Sequence, residues 1–484
     1  MTPRLTRILL LAALLAGCVA APKPDAGQIV LPEQYSAAGT PPELITADGS
    51  TQHLRSGAPL VPNWWQSYQS DELNALVEEG LAHSPSLATA QATLKATHEQ
   101  LRAQIGSNLF PSIDVGFAPS RQRALTIPTL PQQTFLYNVF ALEAQASYRF
   151  DFFGASLYAD RALAQQVEQQ RFQFDATRRA LATNIVIATI NATTLNESVA
   201  ATEQLVSLSE EYAQQLAARD RLGGIAHDDA LAAELNAANL AASLPGLRAQ
   251  LLAVRHAQAV LLGRSPDRAP TPLPLDSLRV PDELPLSIPS DLLHQRPDIL
   301  AAEAAMRAAA NEAGAAAALL YPSLTLSAAY GHGGFDWSTF TGPAGAIWSV
   351  GATISQPLFH GGALHAQKRQ YADLFAAAES AYRLTVLTAF ENVADTLASL
   401  EQDGEALKQS RRAADAAQQT LADAQARYRL GAISWSASLA AAQQYQSARV
   451  ALARARAARL GDAASLYQAM GEVPSVHRGG LLRE

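Results

Sequence analysis

The side chains able to do chemistry are few and scattered. The chain has one cysteine, Cys18, so no disulfide can form within it. The densest run of metal-ligating types is His227-Asp228-Asp229, directly after Gly223-Gly224. Acidic residues just past a glycine turn favour a helix N-terminus on capping and dipole grounds. That reading stands beside metal ligation and beside a role at the mouth of a channel. His98-Glu99 lacks the second histidine of a zincin helix, and His360 and His365 flank a Gly pair as solvated loop or helix-start residues. There is no Gly-x-Ser-x-Gly, no P-loop and no dinucleotide fingerprint. No catalytic residue, metal site or cofactor is expected, and an enzyme is the least supported class. The formal net charge of −8 argues against nucleic acid as a partner.

Cys18 is informative through its position. Arg4 and Arg7 form a short positive region, and Ile8 to Ala16 an apolar one too short to span a bilayer. The segment closes with Leu15-Ala16-Gly17-Cys18, the form of a bacterial lipobox, whose cysteine is lipidated and becomes the new N-terminus. The plainer alternative is a buried cysteine beside an ordinary cleavage site. The lipobox reading makes residues 1–17 a signal peptide and attaches a covalent lipid at Cys18. Val19 follows, not Asp, so the usual inner-membrane retention signal is missing.

Two long rods dominate the elements behind these residues. Ser156 to Leu222 holds no Pro or Gly, and at ~1.5 Å per residue spans about 100 Å as a helix. Leu181, Ile185, Ala188, Ala192, Leu195 and Val199 step by 4 and 3, the spacing of coiled-coil packing. The rod stops at Arg221-Leu222-Gly223-Gly224-Ile225. Ala363 to Leu430 repeats the device, with Val386, Phe390, Val393, Leu397 and Leu400 in the same steps and Arg429-Leu430-Gly431-Ala432-Ile433 as its stop. Return helices are expected over Ala226–Leu262, kinked or broken at Pro245-Gly246, and from about Ser434.

Ahead of each rod the period changes from 3.6 to 2. Helices are expected from Asp71, as N-cap, to Ala82, and from Pro85 to about Ser107 with Ser84 capping. Ile113, Val115 and Phe117 then alternate with polar or small residues, a polar loop is expected from Pro119 to Tyr137, and Phe140, Leu142, Ala144, Ala146, Tyr148 and Phe150 share one strand face. Leu324, Leu326, Ala328 and Tyr330 do the same in the second half, followed by a Gly-rich loop (Gly331 to Gly345) and a strand with Trp348, Val350, Ala352 and Ile354 on one face. Apolar-out, polar-in strands of this length suit a membrane barrel, and equally a half-buried soluble sheet. Gly223 and Gly431, or Pro111 and Pro322, mark an internal duplication at an offset of about 208 residues.

This divides the chain into a signal peptide (1–17), an N-terminal arm (18–62), a first repeat (63–263), a Pro-rich connector with no core role (264–290), a second repeat (291–471) and a tail (472–484). The fold class is α+β, a duplicated helix–strand–strand–long-helix–helix unit. Four strands cannot close a barrel and lipid tolerates no open sheet edge, so membrane-spanning strands require two or three chains. The polar strand face would then line a channel.

The lipobox, the duplicated strand–rod units, Tyr321-Pro322-Ser323-Leu324 and Ala426-Arg427-Tyr428-Arg429-Leu430-Gly431 are together similar to the outer-membrane efflux protein (TolC-like) family. Within it they resemble the NodT-type RND efflux outer-membrane lipoproteins, from about Trp64 to Gly471. The resemblance implies a homotrimer in the Gram-negative outer membrane, with a twelve-stranded β-barrel continued by a twelve-helix periplasmic α-barrel. It implies the exit duct of a tripartite pump for small molecules such as drugs, joined to a periplasmic adaptor (membrane fusion) protein and an inner-membrane RND-type transporter. A type I protein-secretion duct is the alternative within transport; a structural periplasmic coiled-coil lipoprotein is the alternative outside it. By the same resemblance, Asp228, Asp229 and Tyr428 belong to a periplasmic gate, and Leu222, Gly223, Gly224, Leu430 and Gly431 to adaptor-docking turns. Relatives with Arg and Asp in the second turn have Ile433, Ala437 and Ala440 as counterparts here, so packing around Tyr428, Leu430 and Trp435 is the expected latch.

Overall fold

The computed structural model describes residues 21–23, 35, 43–45, 51–57, 62–125, 134–286 and 289–471. Cys18, most of the 18–62 arm and the 472–484 tail lie outside these. In chain order the elements are β1 (Glu43–Ile45), β2 (Thr51–Ser56), α1 (Asp71–His83), α2 (Pro85–Leu109), β3 (Ser112–Phe117), β4 (Ser120–Leu125), β5 (Thr134–Phe150), α3 (Ala155–Arg221) and α4 (His227–Leu261). There follow β6 (Glu283–Leu286), α5 (Pro289–Gln295), α6 (Pro297–Ala318), β7 (Ser323–Gly334), α7 (Trp337–Thr341), β8 (Ala346–Ser355), α8 (Ala363–Arg429) and α9 (Trp435–Met470). The two rods, α3 and α8, are 67 residues each.

Two compact units emerge, each drawing on both sequence repeats: Met1–Gly27, Thr93–Gln170 and Ala302–Arg383 form one, and Gln28–Ala92, Arg171–Ala301 and Leu384–Glu484 the other. The first carries an antiparallel sheet in the order β3-β5-β7-β8, with β4 also on β5. Part of the expected polar loop is strand. β3 and β4 follow one register on β5, since Phe117 pairs with Leu142 and Ser120 with Val139. Pro119, which has no N–H to give, marks the break between them. β7 likewise runs four residues into the expected Gly-rich loop, because Gly331 lies so close to β5 that a β-carbon would sit 2.1 Å from the Leu142 carbonyl oxygen. α7 follows, capped by Asp336, whose carboxylate accepts from the Thr339 amide at 2.8 Å.

The pairing aligns side chains across all four strands. Val115, Ala144, Tyr330 and Trp348 form one row, and Ile113, Ala146, Ala328 and Val350 the next. Both lie on one face; the alternate rows, such as Ser112, Ser147, Ser327 and Gly351, lie on the other. The apolar face is bare: Ile113 is 72% exposed, Trp348 75% and Val350 76%.

The second unit is packed from helices. Leu181, Ile185, Ala192 and Val199 of α3 are buried, as are Val386, Phe390, Val393, Leu397 and Leu400 of α8, while Ala188 and Leu195 are half-buried. α1 approaches α3 closely because Gly80 faces Ile185, with room for no β-carbon. Its cap is Ser70, whose hydroxyl accepts from the Leu73 amide at 3.3 Å; Asp71 sits in the first turn instead. Ser84 ends α1, its amide donating to the Gly80 carbonyl, and Pro85 opens α2. α4 continues unbroken through Pro245, and the neighbouring Leu244 is buried.

The connector does contribute to the core, contrary to its Pro-rich composition. β6 pairs in parallel with β2, which pairs with β1. Leu275, Leu278, Leu284 and Leu286 are all buried. Arg459 of α9 is fully buried, donating to the Leu400 carbonyl at 2.7 Å and to Gln52 on β2; Gln52 in turn donates to the Pro281 carbonyl at 2.5 Å.

The duplication survives in three dimensions. Gly263 and Gly471 each follow a return helix at φ 73°. A β-carbon on Gly263 would meet the carbonyl oxygen of His83, the last residue of α1, at 2.4 Å; one on Gly471 would meet that of Gln295, the last residue of α5, at 2.7 Å.

Candidate functional site: two matched helical turns

Both rods of the helical unit end by the same mechanism. Gly223 adopts φ 68°, its amide donates to the Asp220 carbonyl at 2.8 Å, and the Gly224 amide donates to that of Arg219 at 2.9 Å. Gly431 adopts φ 71°, its amide donates to Tyr428 at 2.9 Å, and the Ala432 amide to Arg427 at 2.9 Å. The paired i−3 and i−5 bonds are a Schellman stop, which requires a left-handed residue and so selects glycine. Each stop projects one leucine into solvent: Leu222 is 86% exposed and Leu430 83%. Two arginines occupy the last turn of each rod, Arg219 and Arg221 on α3, Arg427 and Arg429 on α8, where cations complement the helix dipole.

Beyond the stops the turns differ. In the first, Ala226 takes the N-cap position of α4 without a side-chain cap. Asp228 and Asp229 therefore do not cap; they lie in the first turn of α4, both exposed, where the helix dipole favours negative charge. His227 places Nδ1 2.9 Å from an Asp220 carboxylate oxygen and so ties the end of α3 to the start of α4. Beneath them Leu216, Ala230 and Ala233 are buried, with Tyr212, Ala213 and Ile225 packed on.

In the second turn Ser434 caps α9, accepting from the Ala437 amide at 3.3 Å. Tyr428 packs edge-on against Trp435, ring centroids 4.9 Å apart, and the Tyr212 ring lies 6.4 Å from that of Trp435. Leu208, Leu421, Gln425, Tyr428, Trp435 and Leu439 line a cavity of about 380 Å³ here. Leu430 takes no part in this packing, because the left-handed stop turns it outward. Asp220, Leu208 and Tyr212 are not singled out by the sequence, although the Gly stop brings residues seven apart into reach and so signals the Asp220–His227 pair. Among the described residues no group of three His, Cys, Asp or Glu could hold a metal ion. No helix among them is long and apolar enough to cross a membrane.

Comparison with known proteins agrees with this architecture. Residues 288–472 match the family model of outer membrane efflux proteins. The chain is 28% identical to the pyoverdine export outer membrane protein OpmQ of Pseudomonas aeruginosa, covering 97% of each chain. It is 28% identical to the antibiotic efflux pump outer membrane protein ArpC of Pseudomonas putida, covering 97% of this chain and 96% of that one. In three dimensions it superposes on the outer-membrane channel OprN with a TM-score of 0.81 at 24% identity, over 94% of this chain and 99% of that one. The TolC-like channel fold, the matched repeats and the shared sequence along nearly the whole chain make this protein similar to outer membrane efflux proteins.

Proposed function

We propose that this chain is the outer-membrane channel of a tripartite efflux pump, a passive exit duct for small molecules such as drugs and not an enzyme. The observation that carries the reading is the bare apolar sheet face, aligned row by row across four strands, in a sheet whose outer strands β3 and β8 have no further partner among the described residues. Lipid leaves no backbone group unsatisfied, so such a sheet must close with copies of itself. Three copies supply twelve strands, the number the family resemblance supports, and the polar rows then face the lumen. Helices α3, α4, α8 and α9 contribute four per chain to a periplasmic tube of twelve. A lipid on Cys18 adds an anchor in the same membrane.

The exposed Leu222 and Leu430, each set beside a rigid Schellman glycine, suit docking to a periplasmic adaptor. An inner-membrane RND-type transporter supplies the energy. Asp228 and Asp229 give the mouth a ring of carboxylates, and the Tyr428–Trp435 contact serves as latch. Purified protein is expected to form trimers that conduct in planar bilayers, and a deletion strain to gain drug susceptibility. A water-soluble monomer without conductance overturns the reading. Asp228→Ala with Asp229→Ala should raise conductance or weaken cation preference; unchanged conductance and selectivity remove these two residues from the gate.

A further inference from the structure

The strand-bearing unit holds a cationic cavity that the duct reading leaves unused. Ala21, Pro22 and Lys23 lie against α3 and α6, where the Ala21 amide donates to the Tyr158 hydroxyl at 3.2 Å. Gly314 makes this seat possible, since a β-carbon there would stand 2.8 Å from that of Ala21. Beside the seat is a cavity of about 380 Å³ lined by Lys23, Tyr158, Arg161, Gln165, Arg307 and Asn311, among others. Three of these side chains are cations. Glu303 offsets one of them, at 2.5 Å from Arg307. Arg161 stacks its guanidinium 5.8 Å from the Tyr158 ring centroid, and Asn311 donates to the Arg307 carbonyl at 2.7 Å. A net positive cavity remains in a chain whose formal charge is −8.

Its position gives it a ligand. Arg161 stands six residues into α3, and Asn311 seven residues before the end of α6, so each is about 10 Å along its helix from the junction with the strands. Those junctions carry exposed Phe110, Phe152, Tyr321 and Phe359, the aromatic residues expected at a membrane–water interface. Cys18 is three residues before Ala21, within about 10 Å of extended chain. Cations just outside an aromatic belt meet the phosphates of the lipid headgroups.

We propose that the Lys23–Arg161–Arg307 cavity binds a phosphate group, that of an anionic phospholipid at the periplasmic surface of the outer membrane. The site rests on the reading that the strands span that membrane. It fixes the start of the N-terminal arm to α3 and α6 through a lipid headgroup as well as through Tyr158.

The test is native mass spectrometry of the full chain in mild detergent with phosphatidylglycerol, with phosphatidylcholine of the same acyl chains, and with inorganic phosphate. Wild type is expected to retain phosphatidylglycerol preferentially. K23Q/R161Q/R307Q should weaken that retention by about fivefold for each charge removed and leave phosphatidylcholine unchanged. R121Q/R123Q, on β4, should match wild type. Displacement of the lipid by millimolar inorganic phosphate assigns the site to free phosphate as well; its absence assigns it to the lipid alone. Equal phosphatidylglycerol retention by wild type and triple variant overturns the proposal. If the triple variant fails to fold by circular dichroism, R161E alone must show the loss. Bilayer conductance of the same preparations separates the two readings: conducting protein with unselective lipid retention removes the phosphate site only, whereas non-conducting wild type removes the duct.

Discussion

Burial pushes the Asp462 carboxyl up to about 7, with the neighbouring Asp403 adding to the rise and Arg459 opposing it. The buried Tyr68 hydroxyl faces the same group and donates to the Leu460 carbonyl at 2.7 Å. An acid whose folded pKa is raised holds its proton more tightly when folded. Its contribution is complete below the unfolded pKa near 4 and is lost as pH rises through 7. The apparent thermal midpoint in detergent should therefore fall from pH 5.5 to pH 8, and Asp462→Asn should flatten the slope; an unchanged slope in the variant excludes Asp462 as its source. The left-handed glycines allow a sharper contrast. Gly431→Ala places a β-carbon at φ 71° in open space and should cost about 1–2 kcal/mol. Gly263→Ala adds a clash with backbone at 2.4 Å and should cost more. Thermal midpoints measured side by side check the ranking, and equal losses would mean that α1 moves freely away from α4.

The sheet makes a prediction of its own at the level of the element. Val350 and Ser349 are neighbours on β8 that face opposite ways. In the proposed barrel, Val350→Arg would set a charge on the lipid face and should cost about 2–4 kcal/mol near the bilayer midplane, whereas Ser349→Arg would face the lumen and should be tolerated. Folding yield into lipid vesicles, read by heat-dependent gel mobility, distinguishes them. Much of this element structure was legible beforehand, for physical reasons. α3 and α8 end within a residue of expectation because a Gly stop is a local event, and the apolar rows of β5, β7 and β8 follow from strict alternation. β4 was not legible: Arg121, Gln122 and Arg123 read as loop, and only the partner strand β5 holds them extended. The β2–β6 pair was hidden for the opposite reason, being a parallel contact between residues such as Leu54 and Leu284, far apart in sequence and within Pro-rich surroundings. At the turns, local signals located the glycines and leucines. The Asp220–His227 tie is a local consequence of the Gly stop between them, whereas the Tyr212–Trp435 approach depends on how helices pack, which no single stretch of sequence reveals.

For the whole molecule, the proposed duct has two independent holds on one membrane, a lipid on Cys18 and the sheet. Cys18→Ser should lose labelling by a radioactive fatty acid yet remain in the outer-membrane fraction and conduct as wild type does. Release into the periplasm would mean that the strands do not anchor the protein by themselves. The register of the sheet also sets an order of assembly in time. β3 and β4 find β5 across a short connection, and β7 finds β8 as readily. The eleven pairs from Phe140–Gly334 to Phe150–Leu324, however, join strands separated by the whole of α3, α4 and α6. Loop closure of that length carries an entropic cost before any contact rewards it, and contacts distant in sequence slow folding. The two hairpins should thus form early and wait, their apolar rows uncovered, while the rods are made. In that interval the chain is most exposed to aggregation, and a periplasmic chaperone that shields bare strands would matter most then.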